Sequence, residues 1–426
     1  MEINIPQKNY FTVVIPTRER CDTLEHSLRT CVTQDYDDLE ILVSDNYSQD
    51  RTREIVDSYK DPRIRYINTG KRVSMSDNFE FALSHVKHEG YVIFIGDDDG
   101  LMPNAIQDIN TTIFQTGAQV LRWDVASYFW PNLEKSHANR LSIPSLYSNI
   151  TSQDSEKTIQ NVLSFKATYA SLPVLYMYSA VKYEVISNIK KFSNRFYNSW
   201  IPDVYSGFAI AGSIDSFVNT TRPYVIAGAS HNSNGASVSR VTSDKPYMMF
   251  LKEDNIPFHK SLVKSLSLDE LVIECFLQAS DHLPFFKKYS VDMDKLIYKM
   301  MEGAVSRQKE IYSEIKNAVI QIGVMHNLTL AAENAININP MKNSVNINKY
   351  TFRNLKRSRY IINQLISNFK DDIRKSKLTL DCSSLSVKNI YEASLLCDNI
   401  IKLREQNIIG ISSVIKSSII DIIKKI

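Results

Sequence analysis

The chain has 426 residues, of which 43% are hydrophobic and 23% charged, with a formal net charge of +3 at pH 7. This balance is ordinary for a folded globular protein, so it excludes a largely disordered chain, and so small a charge gives no ground for predicting nucleic-acid binding. No apolar run approaches the roughly 18 residues that a membrane span needs, and the length allows two or three domains.

Strand and helix signals alternate over the first 120 residues. The β-rich runs are residues 11–16, 39–44, 64–68 and 90–95. The runs with helical spacing between them are residues 21–34, 52–59 and 76–86. This order predicts a parallel sheet with helices on its faces. Since ligands bind at the carboxyl ends of parallel strands, we expect the polar residues 17–19, 45–46 and 97–99 to meet at one sheet edge.

The pattern changes after residue 120. Strands are predicted again at residues 120–125 and 224–229, and a loop leading into a helix at residues 198–212. Beyond residue 250 the strand rhythm is lost, and the runs with helical spacing are residues 262–279, 292–322 and 388–405. We therefore predict an α/β domain over residues 1–250 and a helical C-terminal region over residues 251–426.

The C-terminal part of the chain carries an excess of basic residues. Residues 342–426 hold 16 Lys and Arg against 7 Asp and Glu, a net charge of +9, which leaves −6 for the residues before them. Residues 411–426 place their isoleucines on one helical stripe with lysines opposite. This indicates peripheral contact with an anionic membrane surface or a charged acceptor, and a solvated helical face is the alternative. The Asn-rich residues 334–346 are predicted to be a linker.

Three consecutive carboxylates follow the fourth predicted strand. Asp97, Asp98 and Asp99, called the aspartate triplet below, come directly after the apolar residues 90–95. Adjacent negative charges repel one another unless a cation neutralises them, and oxygen ligands suit Mg²⁺ or Mn²⁺. A solvated acidic turn is the alternative. The apolar strand and the neighbouring polar loops favour a site for a metal and a diphosphate.

Four segments in this order resemble the family 2 glycosyltransferases of the GT-A fold. They are VVIPTRER, ILVSDNYSQDRT, NTGKRVSMSDNFEFAL and YVIFIGDDDGLMPNAI. The resemblance is strong over residues 10–110, loose over residues 111–245, and does not reach the helical region. It implies a GT-A domain with a Rossmann-like, mostly parallel sheet, whose donor half is residues 1–110 and acceptor half residues 111–250. It also implies inverting transfer of a sugar from a nucleotide-diphosphate donor, with a UDP-sugar expected.

The same resemblance implies which residues bind the donor nucleotide. They are Pro16, Thr17, Arg18, Glu19, Asp45, Arg72, Asn78 and Asp97. The first four form a loop along the nucleoside, and Asp45 accepts a hydrogen bond from the base. Arg72 and Asn78 belong to the segment that closes over the base and ribose, and a plain surface charge is the alternative for Arg72. Asp97 contacts the ribose.

The metal ligands implied by the resemblance are Asp98 and Asp99. Family members commonly carry an Asp where Gly96 stands, so the division of roles within the aspartate triplet stays open, with Asp98 favoured for the metal. His231 opens the polar segment HNSNGASVSR, which would fold over the diphosphate, and it is predicted as a further metal ligand. Arg240 would contact phosphate. A purely structural histidine is the alternative.

An inverting transfer also needs a carboxylate that takes the proton of the acceptor hydroxyl. In the family this residue stands at the start of a helix well after the metal site, which implies Asp203 in IPDVYSGFAIAG. A helix N-terminal carboxylate without a catalytic role is the alternative. Asp215 and Asp124 are the other candidates.

Two other function classes stay open. A sugar-nucleotide-forming nucleotidyltransferase would need a glycine-rich first loop, and PTRER has none. A non-catalytic sugar-binding scaffold is favoured only if the metal site cannot bind a donor. A dinucleotide oxidoreductase is disfavoured because no GxGxxG follows the first strand.

The cellular setting follows from the cysteines and the acceptor. The five cysteines, without CxxC or zinc spacing, indicate free thiols in a reducing compartment. We therefore expect a cytoplasmic enzyme of bacterial surface-polysaccharide synthesis, acting on a glycan or lipid-linked glycan at the inner face of the membrane. The helical region would serve acceptor access, membrane docking or assembly of a homo-oligomer, and the sequence does not choose among them.

Overall fold

The computed structural model describes residues 8–133, 138–231, 255–341 and 378–405, except 384 and 386. The chain opens with an alternation of strands and helices that runs β1 (Phe11–Thr17), α1 (Cys21–Val32), β2 (Leu39–Asp45), α2 (Thr52–Ser58), β3 (Ile64–Asn68), α3 (Met75–Ser84) and β4 (Tyr91–Phe94). Each of these elements was predicted from the sequence to within two residues at either end.

The following segment is more irregular than its sequence pattern. Its elements are β5 (Gly100–Leu101), α4 (Ala105–Thr116), β6 (Val120–Trp123), β7 (Ala126–Phe129), β8 (Arg140–Ile143), β9 (Ile150–Asp154), α5 (Ser155–Leu163), β10 (Ser179–Lys182), α6 (Tyr183–Lys190), α7 (Pro202–Ser213), β11 (Ser216–Thr220) and β12 (Val225–Ala229). The sequence predicted β6, α7 and β12. The other elements are short, so a hydrophobic period has few residues in which to show.

The main sheet has eight strands in the order β3-β2-β1-β4-β10-β6-β11-β9. Strands β1 to β4 are parallel, as the alternating pattern predicted. Strand β10 lies between β4 and β6 and is antiparallel to both. The amino end of β10 therefore lies at the carboxyl edge of β4, and this brings the loop before β10 to that edge. A second sheet has the order β13-β8-β7-β12-β5, in which β13 is Leu378–Asp381, and packs beside the first.

The two faces of the main sheet are covered by different parts of the chain. Side chains alternate along β1: Phe11, Val13 and Ile15 join one hydrophobic cluster and Val14 joins the other, as the two-residue period of a strand requires. The cluster around Phe11 contains α1, α4 and the second sheet. The cluster around Val14 contains α3, α5, α6, α7 and the C-terminal helices.

The C-terminal helices of that cluster are α8 (Leu268–His282), α9 (Met293–Ala304), α10 (Lys309–Met325) and α11 (Thr329–Ile338). The ring of Phe276 on α8 meets Phe208 on α7 edge to face, with ring centroids 5.5 Å apart. An edge-to-face pair of this kind adds about 1 kcal/mol to the burial of the two rings. The α8 helix thus packs directly on the helix that carries Asp203.

Two predictions for the C-terminal region are wrong in detail. Residues 292–322 form two helices rather than one, because the chain breaks after Ala304 and α10 begins at Lys309. The Asn-rich residues 334–346 are not a linker over their first part, since α11 continues to Ile338. The boundary predicted near residue 250 and the stripe at residues 411–426 lie outside the described residues.

The last described segment returns to the α/β part of the molecule. Strand β13 (Leu378–Asp381) pairs antiparallel with β8, and α12 (Ile390–Glu405) packs on α1. The guanidinium of Arg29 on α1 lies 4.2 Å from the ring centroid of Tyr391 on α12. A strand was not predicted here, because only four residues show the two-residue period.

Two further expectations concern the whole molecule. In the parts of the chain that the structure describes, no helix is long and apolar enough to span a membrane. The five cysteines are free, as predicted, and all five are buried.

Candidate active site

The carboxyl ends of the parallel strands bring the predicted polar residues together. In the sheet register, Thr17 at the end of β1 lies opposite Asp45 at the end of β2, and Asp45 lies opposite Asn68 at the end of β3. The aspartate triplet follows β4 and reaches β1 through a hydrogen bond between Thr17 and Asp97. The sequence prediction that these clusters meet at one edge is therefore confirmed.

Asp97 is held by the loop after β1. Its Oδ2 accepts a hydrogen bond from Thr17 Oγ1 at 2.8 Å, and its Oδ1 pairs with Arg20 Nη1 at 2.8 Å. Burial raises the pKa of Asp97, the Arg20 charge lowers it, and Asp98 raises it again, with a net upward shift. Burial lowers the pKa of Arg20, but the negative charges of Asp97 and Asp98 outweigh burial, so the net shift of this pKa is upward. A buried guanidinium thus partly neutralises the triplet.

Asp98 faces the loop that follows β12. Its Oδ2 accepts hydrogen bonds from Ser230 Oγ at 2.7 Å and from the Ser230 backbone N–H at 3.4 Å. Its backbone carbonyl accepts a hydrogen bond from Trp130 Nε1 at 3.1 Å. Ser230, directly after β12, therefore orients the carboxylate, and Trp130, directly after β7, holds the backbone of the same residue. Sequence reasoning missed Ser230, whose only signal was its place directly after the predicted strand 224–229.

Asp99 is bound by two backbone amides. The N–H of Gly96 donates to Oδ2 at 2.7 Å, and the N–H of Gly228 donates to Oδ1 at 2.8 Å. Burial, and then the neighbouring Asp98, raise the pKa of Asp99 well above its usual value. Gly228 has to be a glycine, because a Cβ there would lie 1.7 Å from the carbonyl oxygen of Asp98. Asp99 thus closes the turn of the triplet onto β12.

Gly96 leaves room for a phenol. A Cβ at this position would lie 2.5 Å from Tyr176 Oη, 2.8 Å from Asp99 Oδ2 and 3.3 Å from Asp98 Oδ1. Burial, and then the charges of Asp99, Asp98 and Asp97, raise the pKa of Tyr176 well above its usual value, so its hydroxyl stays protonated. The position at which family members commonly carry an Asp therefore cannot hold a side chain here unless Tyr176 moves.

Asp45 is oriented by three neighbours. Its Oδ2 accepts hydrogen bonds from Tyr66 Oη and, at 3.0 Å, from Asn68 Nδ2, while Oδ1 accepts from the backbone N–H of Ser48 at 3.0 Å. Burial, and then the hydrogen bond between Tyr66 and Asp45, raise the pKa of Tyr66 to about 12. A carboxylate held in this way is preorganised for recognition of a hydrogen-bond donor.

The first loop is tied to the loop after β2. Glu19 has a positive φ of 53°, its N–H donates to Ser48 Oγ at 2.9 Å, and its Oε1 accepts from the N–H of Gln49 at 2.7 Å. Pro16 and Arg18 are partly exposed in the same loop. The four residues predicted there thus line the edge next to Asp45.

The two residues predicted in the third segment lie in different surroundings. Arg72 is exposed, in a loop that Asn46 clamps through hydrogen bonds to both the N–H and the carbonyl of Val73. Asn78 is buried, and its Oδ1 accepts a hydrogen bond from Ser44 Oγ at 2.8 Å. The geometry therefore gives Asn78 a role in joining α3 to β2, and its predicted contact with the nucleotide remains a prediction.

Asp203 stands in the first turn of α7, directly after Pro202. Burial raises the pKa of its carboxyl to about 6, although the backbone N–H groups at the helix start lower it. Ser206 donates to the Asp203 carbonyl and accepts from the N–H of Leu175, so the loop before β10 is anchored on this turn. Burial raises the pKa of Tyr178, and the charges of Asp203 and Asp99 act on it in the same direction. Asp203 and the aspartate triplet therefore face the same loop.

The other base candidates lie in less suitable surroundings. Asp215 is exposed beyond the far end of α7, where its carbonyl accepts a hydrogen bond from the N–H of Ser155. Asp124 follows β6 and pairs with Arg122 at 2.8 Å. The carboxylate of Asp124 is already engaged by a guanidinium, so the geometry favours Asp203 over both.

His231 lies next to Ser230, at the end of the described loop. Its side chain is exposed, and its N–H donates to Asn132 Oδ1 at 3.2 Å. Within the described ranges, no three His, Cys, Asp or Glu side chains are grouped so that they could hold a metal ion. His231, Asp98 and Asp99 therefore remain predicted ligands. Arg240 lies outside the described residues.

Comparison with known sequences finds a match in the α/β part. Residues 12–172 match the family model described as Glycosyl transferase family 2. The matched residues make up less than half of the chain. A curated relative, the GalNAc(5)-diNAcBac-PP-undecaprenol beta-1,3-glucosyltransferase of Campylobacter jejuni, is 34% identical over 101 residues, which are 23% of this chain and 32% of that protein. The match thus spans about a third of the relative's length.

Comparison with solved structures finds matches of low sequence identity. Staphylococcus aureus TarS 1-349 in complex with UDP-GlcNAc is 12% identical, with a TM-score of 0.44, over 76% of this chain and 89% of that one. Mannosyltransferase PcManGT from Pyrobaculum calidifontis, in complex with GDP-Man and Mn2+, is 14% identical, with a TM-score of 0.38, over 78% and 86%. The predicted α/β fold class, a mostly parallel sheet with helices on both faces followed by a helical region, is confirmed by the strand order and the order of elements, and the family match lies in its α/β part.

Proposed function

We propose that this chain is a family 2 glycosyltransferase, which moves a sugar from a nucleotide-diphosphate donor, a UDP-sugar, to a glycan or lipid-linked glycan acceptor with inversion at the anomeric carbon. The observation that carries the proposal is the position of the aspartate triplet. Three buried carboxylates stand at the carboxyl edge of β1, β2 and β4, and a fourth carboxyl, Asp203, whose pKa is raised to about 6, stands on the helix that anchors the loop before β10. The aspartate triplet fits binding of a phosphorylated donor, and Asp203 fits acceptance of a proton.

The nucleotide is proposed to lie along the loops after β1 and β2. The residues that would contact it are Pro16, Thr17, Arg18, Glu19, Asp45, Arg72, Asn78 and Asp97. The fixed orientation of Asp45 supports its contact with the base, because a carboxylate held by Asn68 and Ser48 is ready to accept from a base N–H. The bond between Thr17 and Asp97 supports a shared contact with the ribose.

A divalent cation, Mn²⁺ or Mg²⁺, fits the charge of the triplet. Burial and the charge of Asp98 raise the pKa of Asp97 and Asp99, which indicates that Arg20 alone does not offset the cost of ionising the triplet and that a bound cation would lower this cost. Mg²⁺ at nucleotide sites usually binds one or two carboxylates together with the substrate phosphates, so a set of three protein ligands is not required. Asp98 would hold the ion, with Asp99 and His231 beside it. The bound cation would stabilise the charge of the leaving diphosphate.

Asp203 is proposed as the general base. Its carboxylate takes the proton of the acceptor hydroxyl while the acceptor oxygen forms a bond to the anomeric carbon. The bond from that carbon to the diphosphate oxygen breaks in the same displacement, and the electron pair leaves with the diphosphate. A pKa of about 6 supports this role, because the group is ionised at pH 7 and basic enough to accept a proton.

The setting of the reaction is proposed from the relative and from the charge distribution. The Campylobacter jejuni relative is named for a substrate linked to PP-undecaprenol, which supports a lipid-linked acceptor and a place at the cytoplasmic face of the membrane. The basic residues 342–426 support peripheral contact there. Liposome co-sedimentation of a chain truncated before Ile411 tests this contact, and undiminished binding would argue against the tail.

A donor panel tests the proposed activity. Purified protein is assayed for hydrolysis and transfer with UDP- and GDP-sugars in Mn²⁺ or Mg²⁺, before and after chelation with EDTA. We expect turnover with at least one donor, loss of turnover on chelation, and a decrease of about 10²–10³-fold for Asp98→Ala. Asp37→Ala, at an exposed carboxylate paired with Lys8, is the matched control. Absence of binding to every nucleotide sugar would refute the proposal, and nucleotide-sugar synthesis from a triphosphate would favour a nucleotidyltransferase instead.

A further inference from the structure

Helix α7 carries Asp203 in its first turn, but the residue before the helix offers no capping side chain. That residue is Ile201, whose side chain has no oxygen atom to accept a hydrogen bond from the free N–H groups of the helix start. The direction of the first turn, and of Asp203 within it, is therefore set by contacts with other parts of the chain.

Helix α8 supplies two of these contacts. The Ser199 hydroxyl donates a hydrogen bond to Glu274 Oε2 and lies 3.3 Å from Cys275 Sγ. The Cys275 thiol donates to the carbonyl of Ile201 at 3.6 Å, and the same carbonyl accepts from the N–H of Tyr205 in α7 at 3.0 Å. Ser199, Glu274 and Cys275 are all buried. The residues that lead into the first turn of α7 are therefore tied to α8.

Glu274 is held on its other side as well. Its Oε1 accepts a hydrogen bond from Gln278 Nε2 at 2.8 Å, and the same nitrogen donates to the carbonyl of Pro257 at 2.8 Å. Loss of either bond to the Glu274 carboxyl would leave a buried polar atom with fewer partners, which is costly. Glu274 therefore presents an acceptor of fixed direction to Ser199.

The loop before α7 is also tied to α3. The Ser76 hydroxyl donates to the carbonyl of Ser199 at 2.6 Å. Glu80 Oε2 accepts from the backbone N–H groups of Phe196 and Tyr197, at 2.7 and 3.0 Å. The loop is thus held from two sides, by α3 of the α/β part and by α8 of the helical region.

A second buried pair of the same kind belongs to α8. One helical turn before Glu274, Glu270 Oε2 accepts a hydrogen bond from the Ser265 hydroxyl, which itself accepts from the N–H of Ser267 at 3.2 Å. All three residues are buried. This pair joins α8 to the residues directly before it, whereas the pair of Glu274 and Ser199 joins α8 to the start of α7.

We propose that Glu274 is a positioning residue, which fixes the start of α7 through Ser199 and so directs the Asp203 carboxyl toward the acceptor hydroxyl. This inference rests on the proposed function, in which Asp203 is the general base. It gives the helical region a part in the reaction, since α8 lies beyond the residues 12–172 that match the family model.

Removal of either partner of the bond tests the inference. We expect Ser199→Ala and Glu274→Ala each to lower kcat for transfer about tenfold, because a displaced Asp203 takes the proton less well. The affinity for UDP in Mn²⁺ should stay at the wild-type value. Isothermal titration calorimetry with UDP counts the binding sites, so that kcat is expressed per folded molecule. The double variant should lose no more than the larger single loss, because both changes remove the same bond.

The second buried pair provides the matched control. Ser265→Ala and Glu270→Ala remove a bond of the same chemistry and burial from the same helix. We expect them to lower the melting temperature and to leave kcat per UDP-binding site unchanged. In the Asp203→Asn background, Ser199→Ala should lower kcat no further, since the bond acts through Asp203.

The contrary outcomes are distinguishable. The inference is overturned if kcat per site is unchanged in Ser199→Ala and Glu274→Ala, or falls equally in the two control variants, or falls further when Ser199→Ala is added to Asp203→Asn. In each of these cases the wild type still transfers sugar and Asp203→Asn still does not. If the wild type transfers no sugar, or if Asp203→Asn keeps the wild-type rate, the proposed function fails and the inference fails with it.

Discussion

The aspartate triplet and Asp203 both lie near the loop before β10, but they differ in the number of hydrogen-bond donors that hold them. Each carboxylate of the triplet accepts hydrogen bonds from named partners, which are Thr17 and Arg20 for Asp97, Ser230 for Asp98, and two backbone amides for Asp99. Asp203 is met by the backbone N–H groups of its own helix start. The hydrogen bonds of the triplet keep its geometry, whereas the setting of Asp203 suits the proton transfer proposed for it.

Substitution of Asp203 is expected to have the largest effect on activity. We predict that Asp203→Asn lowers kcat for transfer about 10²–10⁴-fold, because the amide cannot take the acceptor proton, while donor binding is retained. Steady-state kinetics and calorimetric titration with the nucleoside diphosphate measure the two effects. Asp215→Asn, at the far end of the same helix, is the matched control. An unchanged transfer rate in Asp203→Asn would remove it from the mechanism.

The pH dependence of kcat tests the same role of Asp203, with a smaller expected effect. Burial raises the pKa of Asp203 to about 6, so the carboxyl is protonated below that pH and ionised above it. A base acts as the carboxylate. We therefore expect kcat to fall about tenfold per pH unit below pH 6 and to level off above it. A profile of kcat from pH 5 to pH 8 checks this, and a profile flat through pH 6 would contradict the assignment.

Substitution of Gly228 tests how rigidly the aspartate triplet is held, and we expect a smaller effect from it than from the changes above. A Cβ at Gly228 would lie 1.7 Å from the backbone carbonyl oxygen of Asp98 and 2.7 Å from Trp130 Nε1. We expect Gly228→Ala to lower the free energy of unfolding by about 1–3 kcal/mol, because backbone and not only side chains must move. Denaturant unfolding provides the measurement.

A glycine in open surroundings provides the control. Gly303 lies within α9, and its added Cβ would be 3.7 Å from its nearest neighbour, Asp269 Oδ2. Gly303→Ala should raise stability by about 0.5–1 kcal/mol, since alanine favours a helix interior. Equal stability of Gly228→Ala and the wild type would show that the β12 edge yields easily, and the triplet would then be less rigid than its hydrogen bonds indicate.

The donor edge was predictable because its signals are local. Residues 11–95 alternate short β-rich runs with helical spacing, and polar residues follow the strand ends. Parallel pairing then places Thr17 and Asp45 side by side. The family resemblance added Asp203, whose place at the start of α7 was predicted within a loop-to-helix segment.

The rest of the site depends on contacts between distant residues. Arg20 stands one position beyond the predicted loop residues, and Ser230 one position before the predicted His231, yet neither carried a pattern of its own. Tyr176 reaches the site because β10 inserts antiparallel between β4 and β6, which reverses the direction of the chain. No periodicity in residues 165–178 reports that reversal.

By itself, the sequence determined the parallel α/β start of the chain, the edge at which its polar residues meet, and the helical character of much of the C-terminal region. These follow from periods of two and 3.6 residues and from the residues that end each strand. The tertiary structure was needed to show that β13 and α12 return to the α/β part of the molecule. It was also needed to show that two backbone amides bind Asp99 and that the Tyr176 phenol fills the space above Gly96. Those outcomes are set by packing between segments far apart in the chain, and no local pattern encodes them.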